Sequence, residues 1–267
     1  RTLGLDPQAL DAHLDSIGER RGNHLYNRRT GRRISAVVPM HTFGHPVDMP
    51  TLSAVAARHG IVIVEDAAES LGSFLEGLHT GNFGACATLS FNGNKIVTTG
   101  GGGAIVTNDA ELARRAKHLT TTAKRPHAWA FFHDEVAYNF RLPNLNAALG
   151  CAQLERIEVF IEAKRELAKR YAGAFAGFDG ATLFLERPGT RSNYWLQTLI
   201  LAPELAERRD EILQAANAAG LMTRPVWELL NTLPMYRECP AARLPVAEDL
   251  ARRIVNLPSS PQLAGAA

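Results

Sequence analysis

Ile34-Ser-Ala-Val-Val-Pro39 and Ile61-Val-Ile-Val64 are short apolar runs, and Met49 to His59 between them is an amphipathic pattern that stops at Gly60. Runs of this length bounded by turn residues read as buried strands. A glycine just past the last helical residue is a C-cap signal. Strand, helix and strand at this spacing form a βαβ unit, which predicts an α/β fold whose sheet is mostly parallel and covered on both faces. The second run passes directly into Glu65-Asp66-Ala-Ala-Glu69-Ser70. Ligands of open parallel sheets bind beyond the carboxyl ends of the strands, so Asp66 is a candidate functional carboxylate. Its alternative reading is a cap on a following helix.

A third apolar stretch, Ala85 to Leu89, delivers Ser90-Phe-Asn-Gly-Asn-Lys95-Ile-Val-Thr-Thr-Gly100-Gly-Gly-Gly103, which leads into Ala104-Ile-Val106. A lysine in such a loop becomes a nucleophile when burial or a neighbouring charge leaves its amine partly neutral, and it then forms a Schiff base with an aldehyde. A solvated lysine ahead of a flexible loop is the plainer reading. The glycines permit positive φ and close backbone approach. They are not a phosphate loop, because Lys95 precedes the run and Ile96 follows it.

At 267 residues, with 46% hydrophobic and 21% charged residues, the chain has ample material for a core. A net charge of +2 gives no reason to expect nucleic acid or an acidic membrane surface as a partner. The cysteines, Cys86, Cys151 and Cys239, are odd in number and widely spaced, which favours reduced thiols in the cytoplasm and fits no metal-ligand spacing. No apolar run is long enough to span a bilayer, and nothing reads as a signal peptide. The chain opens on Arg1 rather than Met, as a piece of a longer protein would.

Along the rest of the chain, Leu5 to Leu14 reads as a helix with Asp6 as N-cap and Pro7 in its first turn. Residues 20 to 33 read as a solvated loop. Asp109 to Leu119 is a helix, followed by an aromatic segment from Trp129 to Phe140 that contains His133. Leu145 to Ala176 is one long helical pattern whose charged Lys164 and Arg165 fall on a solvated face. Beyond Gly177 the pattern turns to α+β: strands at Ala181 to Leu185, Tyr194 to Leu201 and Leu221 to Val226, and helices at Glu204 to Gly220 and Glu248 to Val255. The expected organisation is residues 1–143 as part of a large domain, 144–177 as a connecting helix and 178–267 as a small C-terminal domain.

Four stretches then line up: Val64-Glu-Asp-Ala-Ala-Glu-Ser70, Leu89-Ser-Phe-Asn-Gly-Asn-Lys95, Gly100-Gly-Gly-Gly-Ala-Ile-Val-Thr-Asn108 and Tyr138-Asn-Phe-Arg141. An amine to hold an aldehyde, a carboxylate for a pyridinium nitrogen and donors for a phosphate are what a pyridoxal phosphate (PLP) enzyme needs. Together the stretches resemble the DegT/DnrJ/StrS family of nucleotide-sugar aminotransferases. Pro39-Met-His-Thr-Phe-Gly-His-Pro46 and Arg191-Ser-Asn-Tyr-Trp195 look closest to its legionaminic acid and bacillosamine subgroup.

The resemblance implies the PLP-dependent transferase fold type I, aspartate aminotransferase-like, with a mostly parallel sheet and a small α+β C-terminal domain. It implies that Lys95 carries the cofactor and then moves the proton, that Asp66 pairs with the ring nitrogen, and that Ser90 binds the phosphate. Glu69 occupies a position near the cofactor ring where relatives often have Gln or His. Asn139 and Arg141 would reach a neighbouring subunit's site in a homodimer, and Arg224 and His133 are candidate substrate contacts. The implied reaction moves an amino group from glutamate to C4 of a 4-keto-6-deoxy hexose on UDP or GDP, for bacterial surface glycans. Family members normally carry about a hundred further residues ahead of this point, in keeping with large α/β domains. The competing readings are a non-catalytic or incomplete homologue acting as a binding subunit, and an unrelated α/β nucleotide-binding protein that uses the glycine run for phosphate.

Overall fold

The structure, a computed structural model, describes residues 2–265; Arg1, Ala266 and Ala267 lie outside the described residues. Helix α1 (Pro7–Ile17) begins as its sequence predicts: the Asp6 carboxylate accepts from the Gln8 and Ala9 N–H groups, and Pro7 sits in the first turn. Residues 20 to 33 are not a loop. They form most of an antiparallel meander, β1 (Gly18–Arg21), β2 (His24–Asn27) and β3 (Arg33–Ile34). Leu25 docks this meander on the core, and the Asn27 side-chain oxygen closes its second turn on the Arg29 and Thr30 N–H groups. The exposed arginines on either side of Leu25 conceal the alternation.

β4 (Ala36–Val37) and helix α2 (Met49–His59) follow, and Gly60 ends α2 in the left-handed conformation. Next come β5 (Val62–Asp66), the hairpin β6 (Phe74–Leu75) and β7 (Leu78–His79), then β8 (Cys86–Ser90) and β9 (Gly103–Val106). The main sheet runs β4-β5-β8-β9, with the first two pairings parallel and the last antiparallel. Helices α1 and α2 bury Leu14, Leu52, Val55 and Ala56 against Ile61 and Ile63. Two expectations are corrected here. Ile34 to Pro39 is not a buried strand, since β4 is a short edge segment and Val38 is 62% exposed. Nor, among the described residues, is the sheet covered along both faces: Val62 and Ile105, on the opposite phase from Ile63, are 48% and 49% exposed.

Helix α3 (Ala110–Thr120) is capped by Asp109. The single long helix expected from Leu145 to Ala176 is two, α4 (Asn144–Leu154) and α5 (Ile157–Ala174), broken at Glu155 and Arg156. Its apolar stripe splits accordingly: Ile161 and Leu167 are buried, whereas Leu145, Leu149 and Leu154 are exposed. The solvated face is also corrected. Lys164 is buried and donates to the Ser259 carbonyl, and Arg165 forks onto Glu186 through Nη1 and Nη2 at 2.7 Å each. Helix α5 packs on more than one side, so its charged residues find partners inside the fold.

The chain continues through β10 (Ala181–Leu183), β11 (Thr190–Arg191), β12 (Gln197–Leu201), α6 (Arg209–Ala218), β13 (Arg224–Pro225), α7 (Pro245–Arg253) and β14 (Ile254–Leu257). A second, antiparallel sheet runs β10-β12-β14-β13. Here too the boundaries shift. Pro203–Arg208 is a 3-10 turn ahead of α6, and the last helix stops at Arg253 because Ile254 and Val255 are buried in the paired strand β14. Strand β11 leaves this sheet and pairs with β6, tying the C-terminal part to the main sheet's loops. Among the described residues, no helix is long and apolar enough to cross a membrane.

Lys164 makes stability depend on pH. Burial lowers its pKa from the ordinary 10.5 to about 8. Between those values the unfolded chain binds the extra proton and the native chain does not, so the native state gains stability as pH rises. Each pH unit in that window adds at most about 1.4 kcal/mol. The difference in urea midpoint between the wild-type chain and Lys164→Met is therefore expected to move in favour of the wild type from pH 8 to pH 10.

Candidate active site

Strand β5 ends at Asp66, and the parallel register places Asp66 opposite Thr88 on β8. Ser90 closes β8 two residues further on, so both side chains belong to the carboxyl edge of one sheet. The chain then turns at Asn92, where the Lys95 N–H donates to the Asn92 carbonyl at 3.1 Å. The glycine run serves the return into β9. Gly102 has φ +92°, and a Cβ on Gly103 would lie 2.3 Å from the Leu89 carbonyl oxygen. Gly102 is required by the turn and Gly103 by the close packing of β8 on β9.

The Lys95 side chain is 13% exposed and its Nζ lies 3.9 Å from Glu69 Oε1. On another side Nζ sits 3.9 Å from the Trp195 ring centroid, a contact that favours a cation. Burial lowers the Lys95 pKa, while the charges of Glu69 and then Asp66 act to raise it. Glu69 is buried, and its Oε2 accepts the Phe43 N–H at 2.7 Å. Burial, with a smaller push from Asp66, raises its pKa to about 7 against the pull of that hydrogen bond and of Lys95. Lys95, Glu69 and Asp66 therefore share one electrostatic neighbourhood. Ser90 Oγ accepts the Asn92 N–H at 3.3 Å, and its own proton is available to a ligand.

Trp195 comes from a hundred residues downstream. Its indole N–H donates to the Asn94 carbonyl at 2.7 Å, which fixes the ring to the lysine loop. Trp227 stacks on it at 6.1 Å and meets Phe43 at 5.3 Å. The segment that carries Trp195 is itself held. Asn193 Nδ2 donates to the Glu69 and Leu71 carbonyls, and Ser192 Oγ donates to the Gly44 carbonyl.

Glu65, which the sequence reading passed over, is fully buried. Its carboxylate accepts the N–H groups of Gly81, Phe83 and Gly84 at 2.7 Å each, and His41 Nε2 lies 3.0 Å away. His41 Nδ1 accepts the Val47 N–H, so Nε2 carries the ring hydrogen and donates it. Burial raises the Glu65 pKa, but these hydrogen bonds outweigh it and hold the carboxyl below its ordinary value. The signal was present in the strand phase: Glu65 shares the inward phase of Ile63, and Asp66 takes the other.

The remaining candidates are exposed and have local partners. Asn139 and Arg141 are exposed and bonded to each other at 3.1 Å, with Arg141 also donating to the Thr121 carbonyl. His133 is exposed with Nδ1 2.6 Å from the Thr122 carbonyl oxygen. Arg224 is exposed and donates to Asn217 Oδ1 at 3.1 Å and to the Thr223 carbonyl. Trp129 is exposed in the aromatic segment.

The DegT/DnrJ/EryC1/StrS aminotransferase family model matches residues 3–267. GDP-perosamine synthase of Escherichia coli O157:H7 is 37% identical over 231 residues, which is 86% of this chain and 62% of that protein. The dTDP-4-dehydro-2,3,6-trideoxy-D-glucose 4-aminotransferase of Saccharopolyspora spinosa is 30% identical over 272 residues, 97% of this chain and 67% of that protein. The crystal structure of S. venezuelae DesV in complex with ketimine intermediate matches with a TM-score of 0.81 at 32% identity, over 97% of this chain and 65% of that one. The chain spans about three fifths of the length of the first curated relatives it matches.

Removing one Glu65 oxygen tests the anchor. In Glu65→Gln the amide nitrogen faces N–H donors and leaves at least one buried donor without an acceptor, at a cost of about 2–4 kcal/mol. The expected result is a lower urea unfolding midpoint with an unchanged denaturant slope.

Proposed function

The chain belongs to the DegT/DnrJ/EryC1/StrS aminotransferase family, and from that premise we propose that this protein is a PLP-dependent nucleotide-sugar aminotransferase. It places an amine on C4 of a 4-keto-6-deoxy hexose carried on GDP or UDP, with glutamate as donor, for a bacterial surface glycan. The observation that carries this reading is the Lys95 amine, largely withdrawn from water between Glu69 and the face of Trp195, in the field of Asp66. The name of the S. spinosa relative, a 4-aminotransferase of a 4-dehydro sugar, supports the position of the new amine. That of the E. coli relative supports a GDP carrier.

The donor set fits a phosphorylated pyridine aldehyde: an amine whose pKa burial lowers, a carboxylate at one strand end and a hydroxyl at the next. Bound PLP supplies an aldehyde that accepts an amino group and a ring that withdraws electrons from the reacting carbon. Lys95 holds that aldehyde and afterwards carries the proton at the reacting carbon. The Asp66 carboxylate keeps the ring nitrogen protonated, and Ser90 Oγ donates to the phosphate. Trp195, tied to the Asn94 carbonyl, keeps water from one side of the amine.

Homodimer formation belongs to this proposal. Trp129, Phe131, Phe132, Val136 and Phe140 are all more than half exposed in one segment. That much apolar surface in one place fits an interface with a second copy, which would bring Asn139 and Arg141 to the partner's site and leave His133 and Arg224 as substrate contacts. The cytoplasm is the proposed place of action, with Cys86, Cys151 and Cys239 as free thiols.

The test begins with incubation of the protein with PLP, borohydride reduction and peptide mapping. The adduct is expected on Lys95. Glutamate labelled with heavy nitrogen should pass its label to a GDP- or UDP-linked 4-keto sugar, read by mass spectrometry and NMR. Lys95→Ala should lose the adduct and at least about 10²–10⁴-fold in turnover. A wild-type protein that takes up no cofactor at Lys95 would instead be a non-catalytic or incomplete homologue acting as a binding subunit.

A further inference from the structure

We propose that Glu69 and Lys95 share a proton: the buried Glu69 carboxylate accepts the proton that the Lys95 ammonium loses before its amine attacks a carbonyl carbon, and later returns it. The transfer is Glu69–COO⁻ with Lys95–NH₃⁺ giving Glu69–COOH with Lys95–NH₂; one N–H bond breaks, one O–H bond forms, and no oxidant or further reactant is needed. The inference deepens the aminotransferase reading and rests on it for its place in a reaction.

The geometry divides the Glu69 carboxylate into two functions. Oε2 is committed to the Phe43 N–H at 2.7 Å, on a residue held at φ 57°. Oε1 is the oxygen that faces Lys95, 3.9 Å from Nζ. That gap is about 1 Å longer than a hydrogen bond, a distance that a torsion of the flexible lysine end closes. Trp195 lies against the amine on another side, so a proton leaving Nζ meets a ring face there and a carboxylate oxygen at Glu69. Both side chains are nearly withdrawn from solvent, which leaves little water to compete as acceptor.

Burial supports the exchange, against the mutual attraction of the two charges. Burial pushes the Glu69 carboxyl up to about 7 and the Lys95 amine down, so their proton affinities approach each other. The charged groups acting on the pair are each other and Asp66, whose carboxylate raises the proton affinity of both. The nearby imidazoles have other partners: His41 Nε2 meets Glu65, and His45 makes T-shaped contacts with Phe184 and Tyr194.

The test uses the cofactor-free protein, formaldehyde and cyanoborohydride, with methylation of Lys95 followed by mass spectrometry from pH 5.5 to 10. The exposed Lys169 in the same sample removes the reagent's own pH dependence. A shared proton gives Lys95 a population of neutral amine that stays level across the neutral range, bounded by two titration steps. Glu69→Gln retains an oxygen for the Phe43 N–H but cannot take a proton, and its profile is expected to lose the lower step and rise in one. Equal single-step profiles in both proteins overturn the proposal. Infrared difference spectra of the wild type decide the matter even if the variant does not fold. A protonated-carboxyl band that titrates together with Lys95 reactivity supports the pair, and its absence overturns it. Because no PLP enters these measurements, their failure is separate from a failure to trap PLP on Lys95.

Discussion

The site depends on a carboxylate whose oxygens are taken up by the protein's own donors. Glu65 is fully buried, and its two oxygens collect three backbone N–H groups from the 81–84 turn and the imidazole N–H of His41. Leaving those donors without an acceptor would cost far more than an ordinary hydrogen bond contributes. The turn before β8 and the turn after β4 are thus both fastened to the end of β5. Asp66 is the next residue and takes the opposite face. Its position at the sheet's carboxyl edge therefore follows from what Glu65 binds on the other side. The buried charge is tolerated because its acceptor sites are filled, the condition under which an ionised group persists in an interior.

Much of this was legible in the sequence because it is local. The βαβ unit announced itself in two apolar runs and a glycine-capped helix, and Asp66, Ser90 and Lys95 stood out as candidates because they end or closely follow strands that finish on the same edge. What was hidden is long-range or depends on who packs against whom. Trp195 reaches Lys95 across a hundred residues, and only the Asn193 and Ser192 bonds to Glu69, Leu71 and Gly44 explain how it gets there. Lys164 and Arg165 looked solvated because helical periodicity shows one apolar face, whereas α5 also has Ser259 and Glu186 against it. Ile254 and Val255 continued a helical pattern, yet the open position between β12 and β13 claims them for a strand. Glu65 was overlooked for a different reason. In an acidic stretch one carboxylate resembles another until the strand phase is applied to each.

The arrangement around Lys95 shows why these two kinds of constraint must meet. A lysine on a solvated loop keeps its proton at neutral pH, and one enclosed by apolar groups alone would lose its charge without any acceptor for the proton. Here the local segment supplies the amine and the βαβ unit supplies Asp66 and Glu69. The distant segment supplies the aromatic wall that excludes water. Each contribution shifts the amine in its own direction: burial lowers its proton affinity and the two carboxylates restore part of it. Burial brings the ammonium and the Glu69 carboxyl toward equal claims on one proton while their mutual attraction works against it, a balance that requires all three segments. Strand β11, paired with β6 while its neighbours Ser192 and Asn193 grip the site loops, holds the third segment in place. A change in that pairing would reach the chemistry through solvent access to Nζ, without altering any group that gives or takes the proton.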